Sequence, residues 1–208
     1  MPKQTFFNLP EEKQEALMKA ARAEFSRAPL HDASISNIIK GCGVSRGSFY
    51  QYFEDKEDVF FYLLKQHSKE RQALFISYLQ QTEGNIFEAM TNLFHQTLDE
   101  FEEEENRLFF KHVFLNMNHK VQNTFTNGET RDRFLTYLND IRQYIDESLL
   151  DVRNEEELYH AIHLVRVVMF NNMIRHFAKG LSKEKAMEQF AIELRLLKRG
   201  LSIRNEEE

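Results

Sequence analysis

The sequence predicts an all-α protein, in which a small N-terminal three-helix unit is joined by one long helix to a C-terminal helical bundle. Three observations predict it. All three prolines, Pro2, Pro10 and Pro29, lie in the first thirty residues, so nothing later in the chain removes a helix hydrogen bond in the way proline does. Gly84, Gly128, Gly180 and Gly200 stand singly between longer stretches, as glycines at helix C-termini do. Between these marks apolar residues recur every three or four positions, first as Leu17, Ala20, Ala21 and Phe25, later as Phe87, Met90, Phe94, Leu98 and Phe101.

Taken in order, the first helix is expected over residues 10–26, with Asn8 capping its start, Glu11 three positions on and Pro10 suited to the first turn. Two short helices follow, over 35–40 and 45–51, and then a long one from Asp55 to about Gln80. The bundle comprises helices over 85–104, 105–117, 129–150, 155–179 and 183–199. No internal repeat, low-complexity tract or Gly/Ser linker interrupts this pattern, and any division between domains is expected inside the long helix.

Composition excludes several classes. With 208 residues, 42% hydrophobic and 29% charged, the chain reads as globular rather than disordered or collagen-like. A single cysteine, Cys42, cannot build a disulfide framework or a thiolate cluster; it reads as a small buried hydrophobe, and the default location is a reducing cytoplasm. Neither a secretory leader nor an apolar run long enough to span a bilayer is present, so no membrane partner is expected. No Gly-rich phosphate loop, nucleophile elbow or zincin helix occurs, which leaves enzyme chemistry without a constellation of residues. His160 and His163 share a helical face but lack the further ligands of a metal site, and neither metal nor cofactor is expected. The acidic run Glu102 to Glu105 reads as a solvated helix face or junction.

The most informative segment is Ser34 to Lys56, SISNIIKGCGVSRGSFYQYFEDK. Ser34 can cap a helix carrying Ile35, Ile38 and Ile39; Gly41 to Val44 make a turn; Ser45 can cap a second helix carrying Phe49 and Tyr52 or Phe53. Two short helices about a Gly-containing turn form a helix-turn-helix, whose second helix enters the major groove of DNA with its N-terminal residues toward the bases. Arg46, Gly47, Ser48 and Gln51 fall on the outward face: Arg46 can donate to guanine, Gln51 can read adenine, and Gly47 lets the backbone come close to the duplex. Tyr50, Tyr52 and Lys56 are placed to hold phosphates, and Phe49 and Phe53 turn inward as core anchors. Residues 1–56 hold eight basic and seven acidic side chains, a net +1, which leaves -7 on the remainder of a chain whose total is -6. A near-neutral reading head on an acidic body suits base-specific binding better than general phosphate attraction.

The run Ile38 to Lys56, IIKGCGVSRGSFYQYFEDK, with ALMKAARAEFSRAPLHDASI (Ala16 to Ile35) ahead of it, resembles the signature of the TetR family of bacterial one-component transcriptional repressors. The resemblance covers roughly the first sixty residues. It implies a helix-turn-helix DNA-binding domain over 1–56 and an effector-binding and dimerisation domain over 57–208. It also implies a homodimer on a palindromic double-stranded operator, released when a small hydrophobic effector enters the C-terminal bundle. Residue by residue it places Arg46, Gly47, Ser48 and Gln51 at base-facing positions, Tyr50, Tyr52 and Lys56 at phosphate-facing ones, and Ser34 and Ser36 at positions that cap the motif or touch the DNA backbone. Ser45 is counted with this set. Two departures stand out: Ile39 and Cys42 occupy positions where the family usually has alanine, and the basic N-terminal arm of some members is reduced to Lys3. A protein-interaction module that has kept the fold but lost DNA binding is the alternative.

The C-terminal helices are read for the other two roles. The helix over 155–179 is apolar around much of its circumference and, with the last helix, makes a four-helix dimer interface. Candidate effector contacts on the middle helices are Phe94, Phe110, Phe114, Met117, Tyr137, Phe170 and Met173, with His112, Asn171 and Asn172 as polar groups able to point inward.

Overall fold

The computed structural model describes residues 1–116 and 131–201, and the regular elements among them are all helical. They are α1 (Gln4–Phe7), α2 (Glu11–Arg27), α3 (Ile35–Cys42), α4 (Arg46–Tyr52), α5 (Lys56–Gln81), α6 (Ile86–Glu100), α7 (Glu104–Leu115), α8 (Arg131–Arg142), a 3-10 turn (Glu147–Leu149), α9 (Glu155–Lys179) and α10 (Lys183–Leu201). The chain divides into two compact units. The first holds Met1–Lys69 and the described part of Glu100–Thr124, the second Glu70–Asp99 and the described part of Phe125–Glu208. The division therefore falls within α5, and α7 belongs with the N-terminal helices rather than with the bundle.

Several boundaries differ from expectation for local reasons. Asn8 does not start α2; it ends the short α1, and Pro10 is the N-cap of α2, with Glu11 and Glu12 in the first turn where acidic side chains favour the helix dipole. The helix expected over 85–104 stops at Glu100, because Glu103 accepts the backbone N–H of Glu105 and Asn106 and so caps a new helix, α7. The helix expected over 129–150 ends at Arg142, and Asp146 caps the separate 3-10 turn by accepting Ser148 N–H at 3.0 Å. Gly200 lies inside α10 instead of ending a helix, and Gly128 lies outside the described residues.

In the first unit α2 buries Leu17, Ala21 and Phe25, α3 buries Ile38, and Phe49 and Phe53 are fully buried below α4. Phe25 meets Phe60 of α5 edge-on at 5.1 Å, and Phe60 lies 6.0 Å from Phe109 of α7. Each such ring contributes about 1.5–3 kcal/mol by leaving water. Polar ties dock α7 on α2: Arg22 bonds Asn106 and lies over the Phe109 ring, Ser26 Oγ donates to Glu105 O at 3.0 Å, and His112 Nδ1 donates to Phe25 O at 2.9 Å. Beneath α3 the Glu24 carboxylate, 5% exposed, accepts both the Arg27 guanidinium and the Ser34 backbone N–H, and Asn37 Nδ2 reaches it at 3.1 Å. One buried carboxylate thus holds the start of α3 against α2.

The second unit is built on α6, α9 and α10. The Phe94 and Phe190 rings meet at 4.2 Å, tilted by 34°, and Met90, Leu98, Ile162 and Leu194 of these three helices are buried as well. Asn172, 2% exposed, donates to Val168 O and Glu193 Oε2, and Arg175 Nη2 reaches Glu193 Oε1 at 2.5 Å, so α9 and α10 share one polar clasp. Lys183 bonds Asp99, and that bond above all holds the Asp99 carboxyl below its usual range. The turn after α5 needs glycine: Gly84 has φ +84°, and a Cβ there would stand 2.3 Å from the backbone nitrogen of Asp146.

The Arg27 hydrogen bond, outweighing the cost of burial, with help from Ser34 and Asn37, lowers the Glu24 carboxyl from 4.5 to about 2. A carboxyl depressed on folding stabilises above its unfolded value and loses that contribution as pH falls from about 4.5 toward about 2. Glu24→Gln is therefore expected to lower the free energy of unfolding by roughly 2–3 kcal/mol at pH 7, with the gap closing near pH 2. Urea unfolding of both proteins at the two pH values measures it; an unchanged gap at low pH contradicts the assignment.

Candidate nucleic-acid interface

The helix-turn-helix closes on a few local devices. α3 ends at Gly43, whose φ of +68° is the left-handed cap conformation, and Val44 N–H returns to Ile39 O at 3.2 Å. A Cβ on Gly41 would stand 3.1 Å from Ala20 Cβ, so glycine there lets α3 lie close on α2. Ile39 and Cys42, at positions where the family pattern usually has alanine, are both half-buried, and the Cys42 thiol turns to Ile39 O at 3.7 Å. Ser45 caps α4 with its side chain, accepting Ser48 N–H at 3.0 Å. Ser34 occupies the N-cap position of α3 without a side-chain cap bond; its backbone N–H instead donates to Glu24 at 2.7 Å.

α4 has a clear inside and outside. Phe49 is fully buried, whereas Ser45, Arg46, Gly47, Tyr50 and Gln51 are exposed and Ser48 is half-buried. The Arg46 guanidinium lies 5.9 Å from the centre of the Tyr50 ring one turn on, a cation–π pairing that keeps both groups on the outer face. Gly47 has open space beside it: a Cβ would meet nothing nearer than Ser45 Oγ at 3.9 Å. Nothing inside the fold requires glycine at this position. Ser36 is exposed on α3, and Tyr52 is half-buried at the end of α4.

One expected phosphate-binding group, Lys56, and the basic Lys3 near the N-terminus have internal work. Lys56 is half-buried and its Nζ donates to His31 O at 2.7 Å and Ala33 O at 2.9 Å, tying the start of α5 to the loop before α3. That leaves one of its three N–H donors for anything else. Lys3 donates through Nζ to Tyr50 O at 2.9 Å and through its backbone N–H to Tyr52 O at 2.8 Å, and Thr5 Oγ1 bonds Gln51 O. Composition and motif gave no sign of these N-terminal contacts, because Lys3 and Thr5 belong to no recognisable pattern.

The candidate effector contacts fall in both units. Phe110, His112 and Phe114 lie on α7 in the first unit, where Phe110 packs on His67, Phe101 and Phe109, and His112 is committed to Phe25. Phe94, Phe170 and Met173 lie in the second unit, Phe94 and Met173 buried and Phe170 half-buried. Asn171 is exposed; its neighbour Asn172 is the inward amide on α9. Met117 and the side chain of Tyr137 lie outside the described residues. His160 is exposed and His163 stacks on Tyr159, and no group of three or more His, Cys, Asp or Glu able to hold a metal occurs among the described residues. No helix among them is long and apolar enough to cross a membrane.

Comparison with known proteins agrees with this geometry. Residues 17–63 match the family model described as bacterial regulatory proteins, tetR family, and residues 85–201, more than half of the chain, match that of the tetracyclin repressor-like C-terminal domain. A curated relative, the uncharacterized HTH-type transcriptional regulator YdgC of Bacillus subtilis, is 44% identical over 62 residues, 29% of this chain and about a third (32%) of that protein's length. Among solved structures, SmeT, the repressor of the Stenotrophomonas maltophilia multidrug efflux pump SmeDEF, is similar at TM-score 0.66 and 14% identity over 94% of each chain. A tetR-family transcriptional regulator from Streptomyces coelicolor is similar at TM-score 0.61 and 16% identity, over 92% of this chain and 89% of that one. At such identities the likeness to the solved structures is one of fold.

Lys56→Met removes two hydrogen bonds to backbone carbonyls, and each is worth about 0.5–1.5 kcal/mol. The variant is expected to unfold about 1–2 kcal/mol more easily in the absence of any DNA, which urea denaturation measures. Unchanged stability would mean that Lys56 has no structural share.

Proposed function

Because the chain belongs to the TetR family of bacterial transcriptional regulators, we propose that it is a homodimeric repressor. In this reading it binds a palindromic operator through α4 and is released by a small apolar effector. The observation that carries the reading is the outer face of α4, where Arg46, Gly47, Tyr50 and Gln51 are exposed above a buried Phe49. Arg46 and Gln51 supply the donors and acceptors that distinguish bases in the major groove, Tyr50 and Tyr52 reach phosphates, and Gly47 admits the backbone to contact. Ser36 and the remaining N–H of Lys56 add phosphate contacts at the edges, with Ser34, Ser45 and Ser48 keeping the two short helices in place.

Dimerisation is assigned to α9 and α10, which carry Leu164, Ile192 and Leu196 at 44%, 42% and 58% exposure. Large apolar side chains left in water on two neighbouring helices suit a self-complementary interface. Two reading heads related by such an interface would occupy successive major grooves about 34 Å apart. Effector contacts are assigned to Phe94, Phe170 and Met173 of the second unit. An effector releases the operator only by binding one state of the dimer more tightly than the other. The repressor reading draws on SmeT, a repressor with the same fold.

The test is in vitro selection of genomic fragments by the purified protein at two salt concentrations, followed by sequencing. Recovery of a few palindromic sites that survive the higher salt supports base readout, since phosphate attraction fades steeply with salt. Salt-labile capture without a motif, or no capture by a folded dimer, favours the interaction-module reading. On a recovered operator Arg46→Ala is expected to cost about 1–3 kcal/mol and to relax preference at one base pair. Gly47→Ala is expected to leave the fold as stable or up to about 1 kcal/mol more so, since alanine is the better helix former. The same change is expected to weaken operator binding. Equal affinity of Gly47→Ala and the parent protein would contradict close approach at α4.

A further inference from the structure

The recognition helix α4 is seven residues long, shorter than any helix that holds itself in water. Its last four carbonyls have no partner within the helix. Each is nevertheless met. Phe49 O accepts the N–H of Phe53 at 2.9 Å; Tyr50 O accepts Lys3 Nζ at 2.9 Å; Gln51 O accepts Thr5 Oγ1; Tyr52 O accepts the Lys3 backbone N–H at 2.8 Å. Three of the four therefore depend on a segment some fifty residues earlier in the chain. That segment is anchored by Phe6, 1% exposed, whose ring packs on Phe53 at 5.0 Å and on Tyr62 at 5.6 Å. The Lys3 ammonium also lies where a helix dipole favours positive charge.

We propose that Lys3 and Thr5 are positioning residues for operator recognition: they cap the C-terminal end of α4 and so fix the direction in which Arg46, Tyr50 and Gln51 face DNA, without touching DNA themselves. Lys3 is then a C-terminal capping group for the reading helix, not the remnant of an arm in the minor groove. This rests on α4 being the reading helix, as proposed above. The charge on Lys3 matters for where it sits, at the carbonyl end of α4, and a second cation able to donate there does the same work.

Lys3→Met, Thr5→Val and the double variant test this by two readouts, amide hydrogen exchange without DNA and operator affinity across a salt series. The caps predict faster exchange at the α4 amides from Phe49 to Phe53 in the double variant, with amides of α6, α9 and α10 unchanged. Operator affinity is expected to fall about threefold to tenfold for Lys3→Met. The slope of log affinity against log salt should stay at the parent value, because no phosphate contact is lost, and Lys3→Arg should restore affinity. A slope reduced by about 0.9 for Lys3→Met would place Lys3 on a phosphate and overturn the proposal. So would unchanged exchange in α4. Should the parent protein select no operator, the reading of α4 fails instead, while the exchange experiment still decides whether the N-terminal segment caps it.

Discussion

A helix of two turns cannot hold its own backbone in water, and the first unit is organised around that constraint. α4 is kept helical by groups outside it. Ser45 takes an N–H at one end, Lys3 and Thr5 take carbonyls at the other, and Phe49 and Phe53 pin the underside. α3, only one residue longer, is held by the same means, with Glu24 receiving Ser34 N–H at its start and Gly43 closing its end. With inward side chains and backbone groups committed to structure, Arg46, Gly47, Tyr50 and Gln51 are left outside, which is what a reading surface requires.

Polar groups do much of the specifying work here, and the conditions of burial explain how. Glu24 is a carboxylate almost without solvent, a position that costs several kcal/mol unless each lone pair is met. Arg27, Ser34 and Asn37 meet them, and the depressed carboxyl pKa follows. The second unit repeats the pattern with Asn172, Arg175 and Glu193 between α9 and α10. A hydrophobic seam tolerates sliding by a turn, whereas a buried polar group left without its partner does not. These clusters fix the register of the helices they join.

Much of this was legible in the sequence. Apolar spacing gave most of the helices, and α9 begins and ends where expected, because Asn154 caps it and Gly180 closes it. The helix-turn-helix was plain from the glycine turn, the Ser45 cap and the paired aromatic residues. Other features depend on contacts between distant residues and leave no local mark. The stop at Arg142 follows from the Asp146 cap and from the close approach of Gly84. The internal roles of Lys3, Lys56 and His112 are of the same kind: a lysine or histidine bound to a carbonyl far along the chain looks, in sequence, like any surface cation. Helical position alone likewise gave no sign that Phe110 packs on Phe109 or that His112 bonds Phe25 O within the first unit.

The most direct test of the central claim, that α4 is a pre-built reading helix, is the structure of the protein on its selected operator. The account predicts α4 in the major groove with its backbone little changed, Gly47 against the duplex, and the Arg46 guanidinium moved from the Tyr50 ring to a guanine edge. A complex in which α4 lies outside the groove, or in which Arg46 stays on Tyr50 while other residues meet the bases, would contradict it.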